Sequence, residues 1–377
     1  MIRILFSTLL VIHGLIHLLG FSKEFSMGSY GKLNGVTLLH LTKTQSKVAG
    51  VLWLVISALF VTAALLFLIG IDRYWIPAAL AVVASQILII LYWDDAKYGT
   101  FANVLILFVI IFAAAATQFN GMVRKEVRHI TSQVSQDFII VSESDIKNLP
   151  VPVKRWLMVN DIIGKKMPTV LHVRQTGQMR TKPGAKWMPF EAEQFFTLNP
   201  PAFVWNAKIE IFPFMQIAGR DKYENGEGSM LIKPLHIYTA ANSRGKEIDQ
   251  GALLRFLAEM SWFPQAAISH YLHWEPIDDQ HAKVTMAYGD VEASGVYSFD
   301  KEGNVSLFEA QRFGDFDGIY KKENWSVATK GYSTFLGIKI GDKSEVTWKL
   351  KEGNFMWLKM EVTNVEMAKC KFRAPKK

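Results

Sequence analysis

Trp75-Ile-Pro-Ala-Ala-Leu-Ala-Val-Val-Ala-Ser-Gln-Ile-Leu-Ile-Ile-Leu-Tyr-Trp93 is the stretch on which the architecture turns. Between its aromatic ends only Ser85 and Gln86 are polar. At about 1.5 Å rise per residue, roughly 20 apolar residues cross the hydrocarbon core of a bilayer. Tyr74-Trp75 and Tyr92-Trp93 close the two ends, and amphipathic rings prefer the headgroup level. Asp72-Arg73 and Asp94-Asp95-Ala-Lys97 lie just outside, where charge is solvated.

Working outward, Ile4–Gly20, Val48–Ile71 and Phe101–Phe119 are runs of the same kind. After Asn120 the text becomes charged, alternating and punctuated by turns. The sequence therefore predicts a four-helix transmembrane domain over 1–120, a helical linker over 121–167 and an antiparallel β domain over 168–377. The first run is too long for a typical signal-peptide core and no small-x-small cleavage site follows Gly20, which predicts a retained helix. The loop Phe21–Lys47 holds Val36-Thr-Leu-Leu-His-Leu41, too short to span and suited to an interfacial or re-entrant segment. Basic residues divide nearly evenly between the two sides: Arg3, Arg73, Arg124, Lys125 and Arg128 against Lys23, Lys32, Lys43, Lys47 and Lys97. The positive-inside rule needs an excess and finds little here.

The 377 residues carry a formal net charge of +8. In a chain with spanning helices that excess points first to anionic headgroups. Nucleic acid is disfavoured, because there is no basic helix, zinc-finger spacing or aromatic RNA-binding signature. The densest basic run is the tail, Lys369–Lys377. The single cysteine, Cys370, allows no intrachain disulfide.

His13 and His17, four residues apart, share one face of the first helix. Polar groups in an apolar surround face a protein interior or a cavity. The pair fits a haem or metal ligand set or a proton relay. It equally fits helix packing through hydrogen bonds to a neighbour such as Gln86 or Asn103. A metalloprotease reading fails, since Gly14-Leu-Ile16 between them contains no glutamate.

Beyond the helical stretch Ser142–Ile163 the period turns to two. Val170-Leu-His-Val-Arg-Gln-Thr, Ala202-Phe-Val-Trp-Asn-Ala-Lys-Ile-Glu-Ile, Ala282-Lys-Val-Thr-Met-Ala-Tyr and Ala293-Ser-Gly-Val-Tyr-Ser-Phe alternate as half-buried antiparallel strands do. Lys-Glu-Gly-Asn occurs twice, at 301–304 and 351–354, each time between strand patterns. Asp221–Gly228 is another glycine-rich turn. About nine to eleven strands are expected on hairpin spacing. One helix interrupts them: Leu253, Leu254, Leu257 and Met260 have helical spacing, and Trp262-Phe-Pro264 ends it. The predicted fold class is thus an α-helical membrane domain plus an α+β soluble domain, the latter a large curved antiparallel β-sheet, half-barrel-like, with one inserted helix. Eight of the eleven tryptophans follow position 150, which suits an apolar core and equally an apolar pocket.

No Gly-x-Ser-x-Gly, phosphate-cradling or dinucleotide motif occurs, and no Cys-x-x-Cys. Asp249, Arg255 and Glu259 are the first polar cluster. They serve either as ordinary helix-start and i,i+4 charges or as acid/base or headgroup groups at a pocket mouth, beside Trp262. His270, His273, Glu275, Asp278, Asp279 and His281 match no metal spacing and read as a solvated loop. Arg220-Asp221-Lys222 with Glu191 and Glu193 is the third cluster. Its interest depends on which sheet face those glutamates occupy, and Phe190 and Ala192 on the opposite phase favour the outer one.

Four further stretches carry a resemblance. Gln175-Thr-Gly-Gln-Met-Arg180, Trp187-Met-Pro-Phe-Glu-Ala-Glu-Gln194, Gly219-Arg-Asp-Lys-Tyr with Gly226-Glu-Gly-Ser-Met-Leu, and Asp249-Gln-Gly-Ala-Leu-Leu-Arg-Phe-Leu-Ala-Glu259 resemble a bacterial domain-of-unknown-function family over about Leu149–Val365. The expected architecture is in turn similar to the half-barrels of periplasmic Lol-type lipoprotein carriers. That resemblance implies a bacterial plasma (inner) membrane location with the soluble domain extracytoplasmic. The expectation is a multi-pass membrane protein whose β-domain binds a lipid or other apolar small molecule at the bilayer surface. The alternative is a membrane-bound enzyme or redox protein, with haem or metal at His13/His17 or acid/base chemistry at Asp249/Arg255/Glu259. No cofactor is specified by any motif.

Overall fold

The computed structural model describes residues 2–27, 36–212, 215–316 and 318–368. The basic tail with Cys370 and part of the Phe21–Lys47 loop lie outside them. The chain divides into two compact units, Met1–Asn120 and Gly121–Lys377.

The first unit holds α1 (Ile2–Glu24), α2 (Lys43–Leu68), α3 (Trp75–Leu91), the single turn α4 (Trp93–Ala96) and most of α5 (Gly99–Ser132). Four helices are long and apolar enough to cross a membrane. α2 starts where Thr42 and Gln45 form a reciprocal capping box. α1 approaches α2 closely through small residues: a Cβ on Gly20 would lie 2.7 Å from the Trp53 ring. Ile4, Leu15, Leu80, Val83 and Phe108 are exposed, whereas His13, His17, Ser85 and Asn103 are buried. Val36–Leu41 forms no helix; Val36, Leu38 and Leu39 are exposed, and the Leu38 amide donates to the Leu91 carbonyl at 2.8 Å.

In the second unit β1 (Phe138–Ile140) pairs with β2 (Lys166–Pro168) around α6 (Glu143–Ile146) and α7 (Val151–Val159). Ser142 and Asp145 cap α6, and Pro152 near the start of α7 has no amide to leave unsatisfied there. Then come β3 (Val170–Met179), β4 (Met188–Leu198), β5 (Pro201–Phe212), β6 (Met215–Glu224), β7 (Glu227–Pro234) and β8 (Ala241–Ser243). α8 (Lys246–Glu259) follows, and after it β9 (Leu272–Pro276), β10 (His281–Tyr288), β11 (Val291–Phe299), β12 (Val305–Phe316), β13 (Ile319–Phe335), β14 (Ile338–Leu350) and β15 (Gly353–Met367).

From β3 onward the strands form one antiparallel sheet of 13, in the order β8-β7-β6-β5-β4-β3-β15-β14-β13-β12-β11-β10-β9. It is a curled half-barrel made of two meanders. One winds outward from β3 to β8; after α8 the other winds inward from β9 and ends paired with β3. The count exceeds nine to eleven because the edge strands β8 and β9 have three and five residues, too few to show an alternation. β9 also corrects the reading of 270–281 as loop, since His273 and Glu275 lie on it.

Turn chemistry fixes the register of the hairpins. Asn225 and Gly226 both have positive φ, +54° and +83°, as a two-residue hairpin turn requires, and Glu224 faces Glu227 across it. The two Lys-Glu-Gly-Asn copies fold differently. At 301–304 no residue of the tetrapeptide is in a strand, and the Asp300 carboxylate accepts the Asn304 amide at 2.7 Å. At 351–354 only Lys351-Glu352 is turn, with Leu350 already facing Gly353.

α8 lies on the concave face against β7, β11 and β12. Leu253, Leu254, Phe256 and Leu257 are fully buried there, joined by Met260, Trp262 and Phe263 of the turns that follow. Trp156 of α7 stacks on Tyr297 of β11 with centroids 5.9 Å apart, so the helices near 150 share this core.

Candidate functional site

Strand alternation turns Phe190, Ala192 and Gln194 of β4 inward and Glu191 and Glu193 outward. The same phase carries Gln175 of β3, Trp205 of β5 and Asp221 of β6 to the concave face. α8 adds Arg255 and Glu259, one turn apart. Phe190, Trp205, Asp221, Arg255 and Glu259 border a cavity of about 290 Å³ between the sheet and α8, and Gln175 and Gln194 stand behind that wall. Its walls are otherwise mostly apolar, Met179, Phe190, Trp205, Trp262, Phe308 and Trp357 among them, with hydroxyls at Ser261, Thr329 and Ser344.

The polar wall is a connected network. The three Arg255 nitrogens each have an acceptor: Nε donates to Glu259 Oε1 at 2.8 Å, Nη1 to Asp221 Oδ2 at 2.8 Å, and Nη2 to Gln194 Oε1 at 3.1 Å. Gln194 Nε2 donates to Glu259 Oε2 at 2.7 Å, Gln175 Nε2 donates to Gln194 at 3.0 Å, and the Trp205 indole donates to Gln175 at 3.0 Å. The Arg255 guanidinium also lies 4.8 Å from the Trp205 ring centroid. Burial pushes the Glu259 and Asp221 carboxyls above their ordinary range, while Arg255 pulls both down.

Arg312 of β12 completes the charged wall. It borders the same cavity, its Nε donates to the Gly251 carbonyl at 3.2 Å, and its guanidinium packs over Trp325 and Trp348 at 5.0 and 5.6 Å. Burial brings its pKa down to about 10, with the Arg255 charge acting in the same direction and Asp221 and Glu259 opposing. It stays cationic at neutral pH.

The candidates read from sequence separate here. Arg255, Glu259 and Trp262 meet at the cavity. Asp249 does not line it: its carboxylate accepts the Gly228 amide at 2.6 Å and pins the start of α8 to β7. Gly228 is required at that contact, since a Cβ there would lie 2.6 Å from the Ile248 carbonyl oxygen. Glu191 is exposed on the outer face, on the opposite phase from Phe190. Arg220 is on the outer face too, but buried at 4% exposure. It lies 3.3 Å from Glu126 and donates to the Ser229 carbonyl at 3.1 Å. His129 at 3.1 Å and Gln133 at 3.1 Å reach Glu224 on the same face. Arg220 therefore fastens the 121–132 segment of α5 to the sheet and is remote from the concave wall by strand phase.

His13 and His17 sit in a satisfied network of the first unit. His13 Nε2 bonds Asn103 at 2.8 Å; His17 Nδ1 bonds the His13 carbonyl at 2.7 Å and Nε2 bonds Ser85 at 2.8 Å. Asn103 also donates to Ser85 and Gln86, each at 3.1 Å. Both His17 nitrogens are engaged, and no group of three or more His, Cys, Asp or Glu suited to a metal occurs among the described residues. The hydrogen bonds are those of a helix-packing network.

Sequence reasoning passed over Arg312, Gln175 and Gln194 as functional groups. Arg312 had a signal: it lies in phase with Phe308 and Ala310, so an arginine occupies an inward position of a strand.

A family model described as a family of unknown function, DUF6544, matches residues 139–360, more than half of the chain. The chain belongs to DUF6544. In this DUF6544 protein, Gln175, Gln194, Asp221, Arg255 and Glu259, drawn from four separate stretches of the matched region, converge on one network. Among solved structures, a LolA superfamily protein from Nitrosomonas europaea is similar over 61% of this chain and 95% of its own length, at 9% identity and a TM-score of 0.34. No curated protein matches.

Proposed function

We propose that the half-barrel binds a lipid or other apolar small molecule and does so at the surface of the membrane that anchors it. The observation that carries this reading is the cavity of about 290 Å³, walled by tryptophan, phenylalanine, methionine and aliphatic side chains with one charged wall. Apolar concavities with few convergent polar groups are the usual form of small-molecule sites, at about 300–1,000 Å³. Covalent continuity supports the choice of a membrane-derived ligand, because the cavity belongs to a chain with four membrane-compatible helices. A bacterial inner-membrane location with the β unit outside the cytoplasm belongs to the same proposal.

The test is photolabelling of the full chain in bilayers with an acyl probe carrying a diazirine near its chain end. Peptides containing Trp205, Trp262 and Trp357 should be labelled alongside the membrane helices. Label confined to residues 2–120 would overturn the proposal.

A further inference from the structure

Which polar group the bound molecule carries can be read from the charged wall; the inference rests on the apolar-ligand reading above. Arg255 already has an acceptor on each of its three nitrogens, and two of the three acceptors are carboxylates, Asp221 and Glu259, which balance its charge. Asp221 and Glu259 are turned toward Arg255, and the second Glu259 oxygen is held by Gln194.

Arg312 differs. A guanidinium carries five N–H donors. Among the described residues, Arg312 makes one hydrogen bond, through Nε to Gly251, and no ion pair. The Trp325 and Trp348 faces hold the group in place without consuming its in-plane donors. Its two Nη nitrogens are thus a preset fork at the edge of an apolar cavity. Such a fork matches the paired oxygens of a carboxylate or phosphate. The buried wall atoms that lack a hydrogen-bond partner, the indole N–H groups of Trp325 and Trp357, are donors as well. Among the described residues, the buried wall atoms without a partner are thus donors and not acceptors.

We propose that the ligand is an acyl chain ending in an anionic oxygen group, a carboxylate or a phosphate monoester, which Arg312 clasps while the chain fills the apolar space. A neutral ester or alcohol offers the fork only an uncharged acceptor and leaves the guanidinium charge unmatched.

The test compares two photoactivatable probes, stearate and its methyl ester, on the full chain in neutral phospholipid bilayers. Labelling of the membrane helices is the internal reference for probe partition. At pH 8, stearate should label the Trp325 and Trp357 peptides about tenfold or more above the ester, the scale of a charge-assisted hydrogen bond. Arg312→Gln should abolish that preference, and Arg312→Lys, which keeps the charge, should retain part of it. Excess unlabelled lysophosphatidate that displaces the probe better than stearate does assigns a phosphate; the reverse assigns a carboxylate. Equal labelling of the cavity wall by acid and ester in the unaltered protein overturns the inference and leaves the apolar-ligand reading standing. Absence of cavity labelling by either probe sinks that reading itself.

Discussion

In the four-helix unit His13, His17, Ser85 and Asn103 are buried while Leu80, Val83 and Phe108 face outward. In the half-barrel Glu191 and Glu193 face outward, yet Arg255, Glu259, Asp221 and Gln194 are gathered inside an apolar wall. Both interiors hold connected polar networks. The first is built of imidazole, hydroxyl and amide groups and contains no carboxylate. The second is ionic. The difference is the one expected where lipid surrounds the first unit and water the second. A membrane-facing unit hides polar groups because lipid offers them no partner, and neutral hydrogen bonds among helices suffice. The half-barrel instead turns charges inward, which fits the anion site proposed above.

The largest effect should come from breaking the ionic network. Arg255→Met leaves Asp221 and Glu259 without their cation, and unfolding of the β unit should become easier by about 3–5 kcal/mol. Adding Asp221→Asn and Glu259→Gln should recover much of the loss in denaturant unfolding followed by tryptophan fluorescence. A triple variant no better than Arg255→Met would show that the damage is lost packing against Trp205.

Close helix packing comes next. Gly20→Ala places a methyl group against the Trp53 ring, and overpacking of this kind costs about 1–3 kcal/mol. Detergent-resistant thermal stability should fall, and Trp53→Leu in the same chain should relieve it.

His17→Leu sharpens the contrast between the networks. It removes the bond to Ser85 but leaves Ser85 paired with Asn103. The expected loss is about 1 kcal/mol, the scale of interhelical hydrogen bonds in lipid. A loss matching that of Arg255→Met would overturn the distinction drawn here.

Acidification tests the electrostatics of the half-barrel. The folded pKa of Glu259 is raised, by burial above all. The folded state therefore keeps that proton to higher pH than the unfolded chain, whose carboxyl titrates near about 4.3. The stability from this group is full below the unfolded value and is lost as pH rises through the folded one. Between pH 7 and 5 the unaltered protein should gain stability relative to Glu259→Gln, read as a growing difference in Tm. A shrinking difference would mean that the attraction to Arg255 outweighs burial. The smallest effect belongs to Glu191→Gln, on the exposed outer face, which should stay within about 0.5 kcal/mol and leave probe labelling unchanged.

Much of this was legible in the text of the chain. Trp75–Trp93 announces a long apolar helix by length and composition, and the spacing Leu253, Leu254, Leu257 announces α8. Strand phase placed Glu191 opposite Phe190, so the outer position of that glutamate could be read directly. Asp249 was less legible: a carboxylate in the first turn of a helix looks the same whether it faces a pocket or holds a neighbouring strand. Arg220 and Asp221 are adjacent, and only the sheet decided that one would bind Glu126 outside and the other Arg255 inside.

The sequence by itself determined the division between apolar helices and an alternating sheet, the inserted helix and the turns at glycine and asparagine. These are local matters of side-chain period, length and backbone φ, readable within about twenty residues. Only the tertiary structure decided that β15 would return to pair with β3, that two copies of Lys-Glu-Gly-Asn would form different turns, and that Arg312 would face the Arg255 network. Arg312 and Gly251 are separated by 61 positions, Gln194 and Glu259 by 65. Contacts at such separations depend on how the whole sheet curls around α8, and no local propensity encodes that closure.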